Sequence, residues 1–463
     1  MTARATAEAG GELPGRVLVV GFARTGAAVA RVLRDRGAEV VAVDDAPSPD
    51  AVEAASRAGV ELLVGPDPHE LGRALHDVGL VVVSPGVPPT HPVFAAARGV
   101  EVVSEVELAS RLGGPEIVAI TGTNGKTTVT SLVASMLARS GRAVRAAGNI
   151  GYPLVEAVVE PGLDLVVAEV SSFQLALTTS FRPRVAAWLN LAEDHLDWHR
   201  DLEEYAAAKA RIWAHQERDD VAVANADDRA VLDRARAARG RLVTFGASEG
   251  DFHLDGGALV GPGAVEWASL SDLPRAMPHD VSNALAALAV AASAGARADA
   301  CRAALREGSP LPHRVELVAN VGGVSYFDDS KATTPSAVVA ALAGLDSVVL
   351  IAGGRNKGLD LAAIATAARA GATGGRFARL RGVVAIGEAA GSVADALDGP
   401  WPVVRATSMH DAVVRASGLA EHGDAVLLSP GCASFDWYSS YEERGADFAN
   451  EVHALERASG TGA

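Results

Sequence analysis

The chain has 463 residues, of which 49% are hydrophobic and 21% charged, and a formal net charge of −16. A length of this order fits roughly two to four domains, and the acidic balance argues against bulk nucleic-acid binding, which requires a basic face. Two distant cysteines, Cys301 and Cys432, make no disulfide framework, and no run approaches the ~18–20 apolar residues of a membrane span, so a cytoplasmic, reducing setting is expected.

Residues 1–14 lack the apolar core of a signal peptide and are expected to form a disordered tail. The first predicted strand is Val17–Val20. Gly21, Ala23 and Gly26 follow at G-x-G-x-x-G spacing, then a helix is predicted over Ala27–Arg36. A second strand, Val40–Val43, ends in Asp44 and Asp45, and a third, Leu80–Val83, runs into the turn-rich "SPGVPPTHP". On residues alone this is a dinucleotide-binding fingerprint with Ala in its second glycine position.

A second unit opens near Glu105. Strand Ile117–Thr121 leads into "GTNGKTT", and a helix is predicted over Val129–Ser140. Strand Leu163–Ala168 ends at Glu169, and an Ala-rich helix is predicted over 282–295. A third unit opens at Leu311, with strands Val348–Ala352, Val383–Ile386, Val403–Arg405 and Ala425–Leu428. The alternation predicts an α/β chain with largely parallel sheets, divided near 104/105 and 310/311.

"GTNGKTT" is shorter than the usual G-x-x-x-x-G-K-[ST] loop, but it lies between strand and helix. There, backbone N–H groups and the helix dipole favour an anion. Lys126 can reach phosphates and Thr127 can ligate Mg²⁺; the plain alternative is a Gly-rich turn with an incidental lysine. Glu169, at a strand's C-terminal end, suits a metal-binding carboxylate, although alone it is only an acid ending a strand. In "NLAEDHLDWH", His195 lies among Glu193, Asp194 and Asp197 and reads equally as a metal ligand or part of a solvated acidic loop; its spacing from His199 lacks the H-E-x-x-H of a zinc pair. Lys209, on a predicted helix, reads alone as a surface lysine.

Together, "GTNGKTT", "GNIG", "EVSSFQL", "EDHLD", "AAK", "LPHR", "DDSKATT" and "SPGCAS", in this order, resemble the Mur ligases over nearly the whole chain, and within them "SSFQL" and "SPGCAS…RG" resemble the members that add D-glutamate. The resemblance implies three domains. They are a Rossmann-like N-terminal domain (1–104) binding a UDP substrate, a central P-loop ATPase-type domain with a mostly parallel sheet (105–310), and a Rossmann-like C-terminal domain (311–463) binding the amino acid. It implies an ATP-dependent ligase, cytoplasmic and monomeric, with two Mg²⁺ ions. The ligase joins D-glutamate to UDP-N-acetylmuramoyl-L-alanine through an acyl phosphate in peptidoglycan precursor synthesis, without nucleic acid or membrane span.

The resemblance also implies roles. Gly122, Thr123, Asn124, Gly125, Lys126, Thr127 and Thr128 cradle ATP, with Asn283, Arg314 and Asp329 at the rest of the nucleotide. Thr127 and Glu169 hold one Mg²⁺; His195 and Lys209, the latter as a carbamate because an ammonium has no acceptor, hold the second. Asn149 meets the substrate near the reacting carboxylate, and Lys331 steadies the acyl phosphate. Arg24, Thr25, Asp44 and Asp45 belong to the UDP site, with Ser84 and Gly86 toward the sugar. Thr333, Lys357, Ser434, Phe435 and Tyr441 form the D-glutamate pocket. Asp45, Ala46, Asp280 and Tyr441 depart from residues frequent in the family. A nicotinamide dehydrogenase would use the first fingerprint but leave Lys126, Glu169 and the third unit without a role. A folylpolyglutamate-type ligase or a non-catalytic nucleotide binder are the other readings.

Overall fold

Continuous apolar runs such as Val17–Val20 and Leu165–Ala168 can only be buried on both faces, which is the signature of interior parallel strands. In the computed structural model of the chain they are. The structure describes residues 13–196, 198–308, 311–373 and 377–460, and the elements below are those of these residues. The first sheet comprises β1 (Arg16–Val20), β2 (Glu39–Asp44), β3 (Glu61–Val64), β4 (Leu80–Val83) and β5 (Glu101–Ser104), all parallel, in the order β3-β2-β1-β4-β5. The order reverses between β1 and β4, the kind of crevice where doubly wound sheets bind ligands.

The second sheet comprises β6 (Glu116–Thr121), β7 (Val144–Gly148), β8 (Leu165–Glu169), β9 (Val185–Trp188), β10 (Val221–Asn225) and β11 (Arg241–Phe245), in the order β11-β10-β9-β6-β8-β7, and is parallel throughout. A small antiparallel sheet follows, β12 (His253–Asp255), β13 (Ala258–Gly261) and β14 (Val265–Ser269). The last sheet holds β15 (Glu316–Val321), β16 (Val324–Asp328), β17 (Ser347–Gly353), β18 (Arg379–Ile386), β19 (Val403–Arg405) and β20 (Ala425–Leu428), ordered β15-β16-β20-β17-β18-β19. By compactness the chain forms two units: Met1–Leu191, Glu203–Asp272 and Asn283–Arg306 make one; Ala192–Leu202, Leu273–Ser282 and Glu307–Ala463 make the other.

Several elements differ from expectation. The first helix spans Arg24–Asp35, so Arg24 and Thr25 lie in its first turn rather than in the glycine turn before it. A Cβ on Gly26 would sit 2.0 Å from the Gly21 carbonyl oxygen, which is why turn and helix can close this tightly. Strand β3 was not anticipated, and Leu80–Val83 is the fourth strand, not the third; β3 is a short edge strand whose ends are exposed, so it carries little apolar signal. The helix after the phosphate loop begins at Lys126, not Val129. The antiparallel hairpin β15–β16 also escaped notice, although Gly322 and Gly323, both at positive φ (60° and 80°), form its two-residue turn. Of the expected tail, Leu13 packs on the core and Pro14 on Gly79, while residues 1–12 lie outside the described residues.

One helix joins the first two sheets. It spans Glu105–Arg111, directly after β5, and is capped by the Ser104 hydroxyl. Its Glu107 is buried and accepts N–H bonds from Thr179, Ser180 and Phe181 at 2.9–3.0 Å, a hydroxyl from Ser180 at 2.5 Å and the Arg111 guanidinium at 2.9 Å. Burial raises the pKa of this carboxyl, but the bonds from Ser180, Thr179 and Arg111 outweigh it and hold it at about 2, below its ordinary 4.5. A depressed folded-state pKa contributes stability above the unfolded value, and that stability is lost as pH falls from 4.5 toward 2. Glu107→Ala strands several buried donors, so it is expected to cost about 3 kcal/mol at pH 7. Its deficit against wild type in urea unfolding should shrink below pH 4.5.

Candidate active site

Strand β6 ends at Thr121, and the short loop turns over it. Gly125 caps the following helix at φ +84°, a conformation that suits glycine, and a Cβ there would meet the Asn283 side-chain oxygen at 2.4 Å. Asn283 therefore lies against the loop. The loop is braced from β9: Asn190 Oδ1 accepts the Thr123 and Asn124 N–H groups at 3.0 and 2.8 Å, and Asn190 Nδ2 donates to the Asn124 carbonyl at 3.1 Å. Lys126 Nζ folds back onto the carbonyls of Gly122 (3.0 Å) and Thr123 (2.9 Å), and Thr128 is half-buried in the helix's first turn.

Parallel register sets Glu169 beside Ile120, one strand over from the loop. Thr127 Oγ1 donates to Glu169 Oε2 at 2.8 Å, and Asn149 Nδ2 donates to Glu169 Oε1 at 3.1 Å. Two residues predicted from separate motifs, Thr127 and Asn149, thus share the carboxylate of a third, Glu169. Gly148 lies at φ +95°, and a Cβ there would come within 2.3 Å of the Glu169 carbonyl oxygen, so "GNIG" can lie flat on β8 only with glycine at this position.

Lys209 is 1% exposed, against the ordinary expectation for a helix lysine. Its Nζ donates to the Gly122 carbonyl at 2.8 Å and lies 4.4 Å from the Tyr205 ring centroid, while Tyr205 OH lies 3.3 Å from Thr123 Oγ1. The helix Leu202–Ala210 therefore places Lys209 at the phosphate loop. The Thr127 hydroxyl and the Glu169 carboxylate are oxygen donors of the kind that fits Mg²⁺. His195 lies in the segment assigned to the second unit, at φ +56°, with Nε2 3.3 Å from Asp194 Oδ2. Its neighbour Asp197 lies outside the described residues.

In the first sheet, Asp44 does not present a free carboxylate. Phe22 N–H donates to its Oδ2 at 2.6 Å and Ala46 N–H to its Oδ1 at 3.0 Å, so it ties the glycine turn to the end of β2. Ser84 donates to the Gly21 carbonyl at 2.7 Å and steadies the same turn. Arg24 and Gly86 are exposed, as is Asp45, which faces buried His91 Nε2 at 3.4 Å.

In the second unit, Asp329 is buried, accepts the Ser429 hydroxyl at 2.7 Å and the Val315 N–H at 3.2 Å, and is pushed up to about 7 by burial against the pull of Ser429 and Arg314. Lys331 Nζ donates to Tyr441 OH at 3.0 Å. Buried Arg444 donates to Ser330 Oγ (2.9 Å), the Ser330 carbonyl (2.8 Å) and the Cys432 carbonyl (3.1 Å), stitching "DDSK" to "SPGCAS". Thr333 is half-buried and Ser434 buried close by in these segments, whereas Lys357 and Phe435 stand exposed.

Family models match along the chain: residues 15–104 fit the Mur ligase MurD-like N-terminal domain, 120–291 the Mur ligase middle domain, and 313–432 the Mur ligase glutamate ligase domain. The chain belongs to the Mur ligase family. A relative from Frankia casuarinae, named UDP-N-acetylmuramoylalanine--D-glutamate ligase, is 45% identical over 460 residues, covering 95% of this chain and 94% of its own. One of the same name from Desulfosudis oleivorans is 43% identical, covering 95% and 96%. A pseudomurein peptide ligase type C from Methanothermus fervidus shares the fold at TM-score 0.60 and 16% identity, covering 95% of this chain and all (100%) of its own. A UDP-N-acetylmuramate-alanine ligase from Thermotoga maritima shares it at 0.57 and 19%, covering 95% and 99%.

Two braces of this Mur ligase's loop escaped the motif reading. Asn190 stood inside the quoted "NLAEDHLDWH", next to the strand end, and Tyr205 stands four residues before Lys209, on the same helix face. Gly125→Ala should both strain the φ +84° turn and collide with Asn283. Calorimetric titration with MgADP is expected to show affinity at least about tenfold weaker, with a stability cost of about 1–2 kcal/mol.

Proposed function

We propose that this Mur ligase joins D-glutamate to UDP-N-acetylmuramoyl-L-alanine at the expense of ATP, in the cytoplasm, in peptidoglycan precursor synthesis. The observation that carries the reading is the Thr127–Glu169 bond at the head of the short phosphate loop, in a chain whose near full-length relatives bear that name. The domains follow the borders 104/105 and 310/311, for the UDP substrate, ATP and the amino acid in turn.

A carboxylate is a poor electrophile. Transfer of the γ-phosphoryl group to an oxygen of the alanyl carboxylate forms a new P–O bond and breaks the bond to the β-phosphate oxygen, releasing ADP. The D-glutamate nitrogen, as the free amine, then attacks the carbonyl carbon. The tetrahedral intermediate expels phosphate and the nitrogen loses its proton, leaving an amide. Lys126, released from the carbonyls of Gly122 and Thr123, screens the meeting of two anions, and the N–H groups at the start of the helix, from Gly125 on, hold the phosphates. Asn149 orients the alanyl carboxylate beside Glu169, and Lys331 neutralises the acyl phosphate. Asn283, Arg314 and Asp329 hold the nucleoside. Thr333, Lys357, Ser434, Phe435 and Tyr441 bind D-glutamate; Arg24, Thr25, Asp45 and Gly86 contact the UDP substrate, with Asp44 and Ser84 shaping that turn.

The reading takes two Mg²⁺ ions: Thr127 and Glu169 would hold one, and His195 and carbamylated Lys209 would hold the other; bound there, they would supply positive charge to the phosphate oxygens. A carbamate nitrogen keeps one hydrogen, so modified Lys209 can still donate to Gly122 while offering its new oxygens as ligands.

The decisive assay is phosphate release with ATP and UDP-N-acetylmuramoyl-L-alanine across a panel of amino acids. Release that depends on D-glutamate is expected; release with meso-diaminopimelate or L-lysine instead would refute the reading. Lys209→Ala is expected to lose at least about 10³-fold in kcat, with short-chain carboxylates restoring part of it. Wild-type turnover in that variant would rule out the carbamate.

A further inference from the structure

The bonding around Glu105 has no part in the reaction above. This carboxyl lies at the first residue of the helix Glu105–Arg111, is 1% exposed, and accepts the Val155 N–H at 2.6 Å. The Leu154 amide also donates to it, and burial pushes it up to about 7 against these two bonds. Leu154 and Val155 open the short helix Leu154–Ala157, whose first amides have no partner within the helix. At the other end of that helix, Gly114 lies so close to Val158 that a Cβ would come within 2.2 Å of the Val158 carbonyl oxygen. The short helix is thus pinned at both ends by the chain that begins at Glu105.

Immediately before it comes the turn that carries Asn149. Gly148 N–H donates to the Tyr152 carbonyl at 2.8 Å and closes the turn, and Asn149 N–H donates to the Glu169 carbonyl at 2.9 Å. Asn149 Nδ2 then reaches Glu169 Oε1 at 3.1 Å, and Thr127 bonds the other oxygen. The path runs by a hydrogen bond from Glu105 to Val155, along the backbone through Pro153 to Tyr152, across the Gly148–Tyr152 bond to Asn149, and on to Glu169.

The geometry points to Glu105 as a positioning residue: by holding the Leu154 and Val155 amides it fixes the turn that carries Asn149, and so fixes the orientation of the Glu169 carboxylate. The inference rests on reading Glu169 as a metal ligand. Partners that orient a ligand commonly change metal affinity ten- to a hundredfold when removed.

The test compares Glu105→Ala with Glu105→Gln, which keeps the accepting oxygen. Amide hydrogen exchange of residues 148–157 is followed in the ligand-free protein, and ADP binding is titrated calorimetrically against Mg²⁺. Glu105→Ala should exchange faster over 148–157 but not over 179–181, which Glu107 holds, and should need about tenfold more Mg²⁺ for half-maximal ADP binding. Glu105→Gln should return both to within about twofold of wild type. Wild-type exchange in the Ala variant, or faster exchange with an unchanged Mg²⁺ requirement, overturns the inference. Val155→Pro removes one of the two donors while leaving the carboxyl, in the first turn of the helix, where that amide has no partner within the helix. Should the Ala variant not fold, Val155→Pro must raise the Mg²⁺ requirement in the same direction, and a wild-type requirement there overturns the inference equally. Neither readout involves an amino acid, so an error in the D-glutamate assignment would appear in phosphate release and leave these results standing.

Discussion

The candidate site turns on one carboxylate. Glu169 ends an interior parallel strand, and register alone sets it beside the strand that feeds the phosphate loop. One of its oxygens is held by Thr127 from the loop helix, the other by Asn149 from the far side of the sheet. Neither donor is charged, and the carboxylate sits beside a helix N-terminus whose dipole favours anions. A site prepared in this way suits a cation that bridges protein and phosphate. The strand order β9-β6-β8-β7 is what gathers the donors, because it lays the ends of four chain segments side by side.

Two buried acids on one helix show how little burial alone decides. Glu107 collects amides, hydroxyls and a guanidinium, and its carboxyl stays ionised far into acid. Glu105, two residues away, has two amides and a neighbouring carboxylate, and its affinity for a proton rises instead. The number and kind of donors set the sign of the shift. In the second unit Arg444 is the cationic counterpart: buried and bonded to neutral oxygens of Ser330 and Cys432, it is pushed down to about 10 by its burial. It links two loops without a counter-charge in those bonds, so its value is geometric.

Much of this was legible in the residues. Strands β1, β6, β8 and β20 fall within a residue or two of where apolar runs placed them, because buried parallel strands write themselves as unbroken apolar runs; β19, a partly exposed edge strand, was placed correctly on its short apolar run as well. The strands β3 and β15 were missed because they are partly exposed and carry mixed patterns, and the short, fully buried β9 and β10 were missed as well. Helix starts were read three residues late at both glycine turns, because glycine and polar residues fill the first helical turn there and hide the apolar period. At the site, motif residues came together where strand order brought them, as with Thr127, Asn149 and Glu169. Asn190, Tyr205 and Glu105 were invisible as functional because their partners are backbone groups or residues far away in sequence. Asp44 and Ser84, which match a ligand-binding pattern, also fasten the turn itself with their side chains.

The brace from Asn190 bears on the thermodynamics of the loop. Both loop amides bonded to its Oδ1 and the carbonyl bonded to its Nδ2 are satisfied by protein, and the glycine at φ +84° is already wedged against Asn283. A flexible glycine-rich loop would lose about 1–2 kcal/mol of backbone entropy per residue on closing around a phosphate. Here that loss is taken during folding. Held by Asn190, the loop is ordered before the anion arrives, so nucleotide affinity depends on the fit of the anion and little on any ordering of the chain around it.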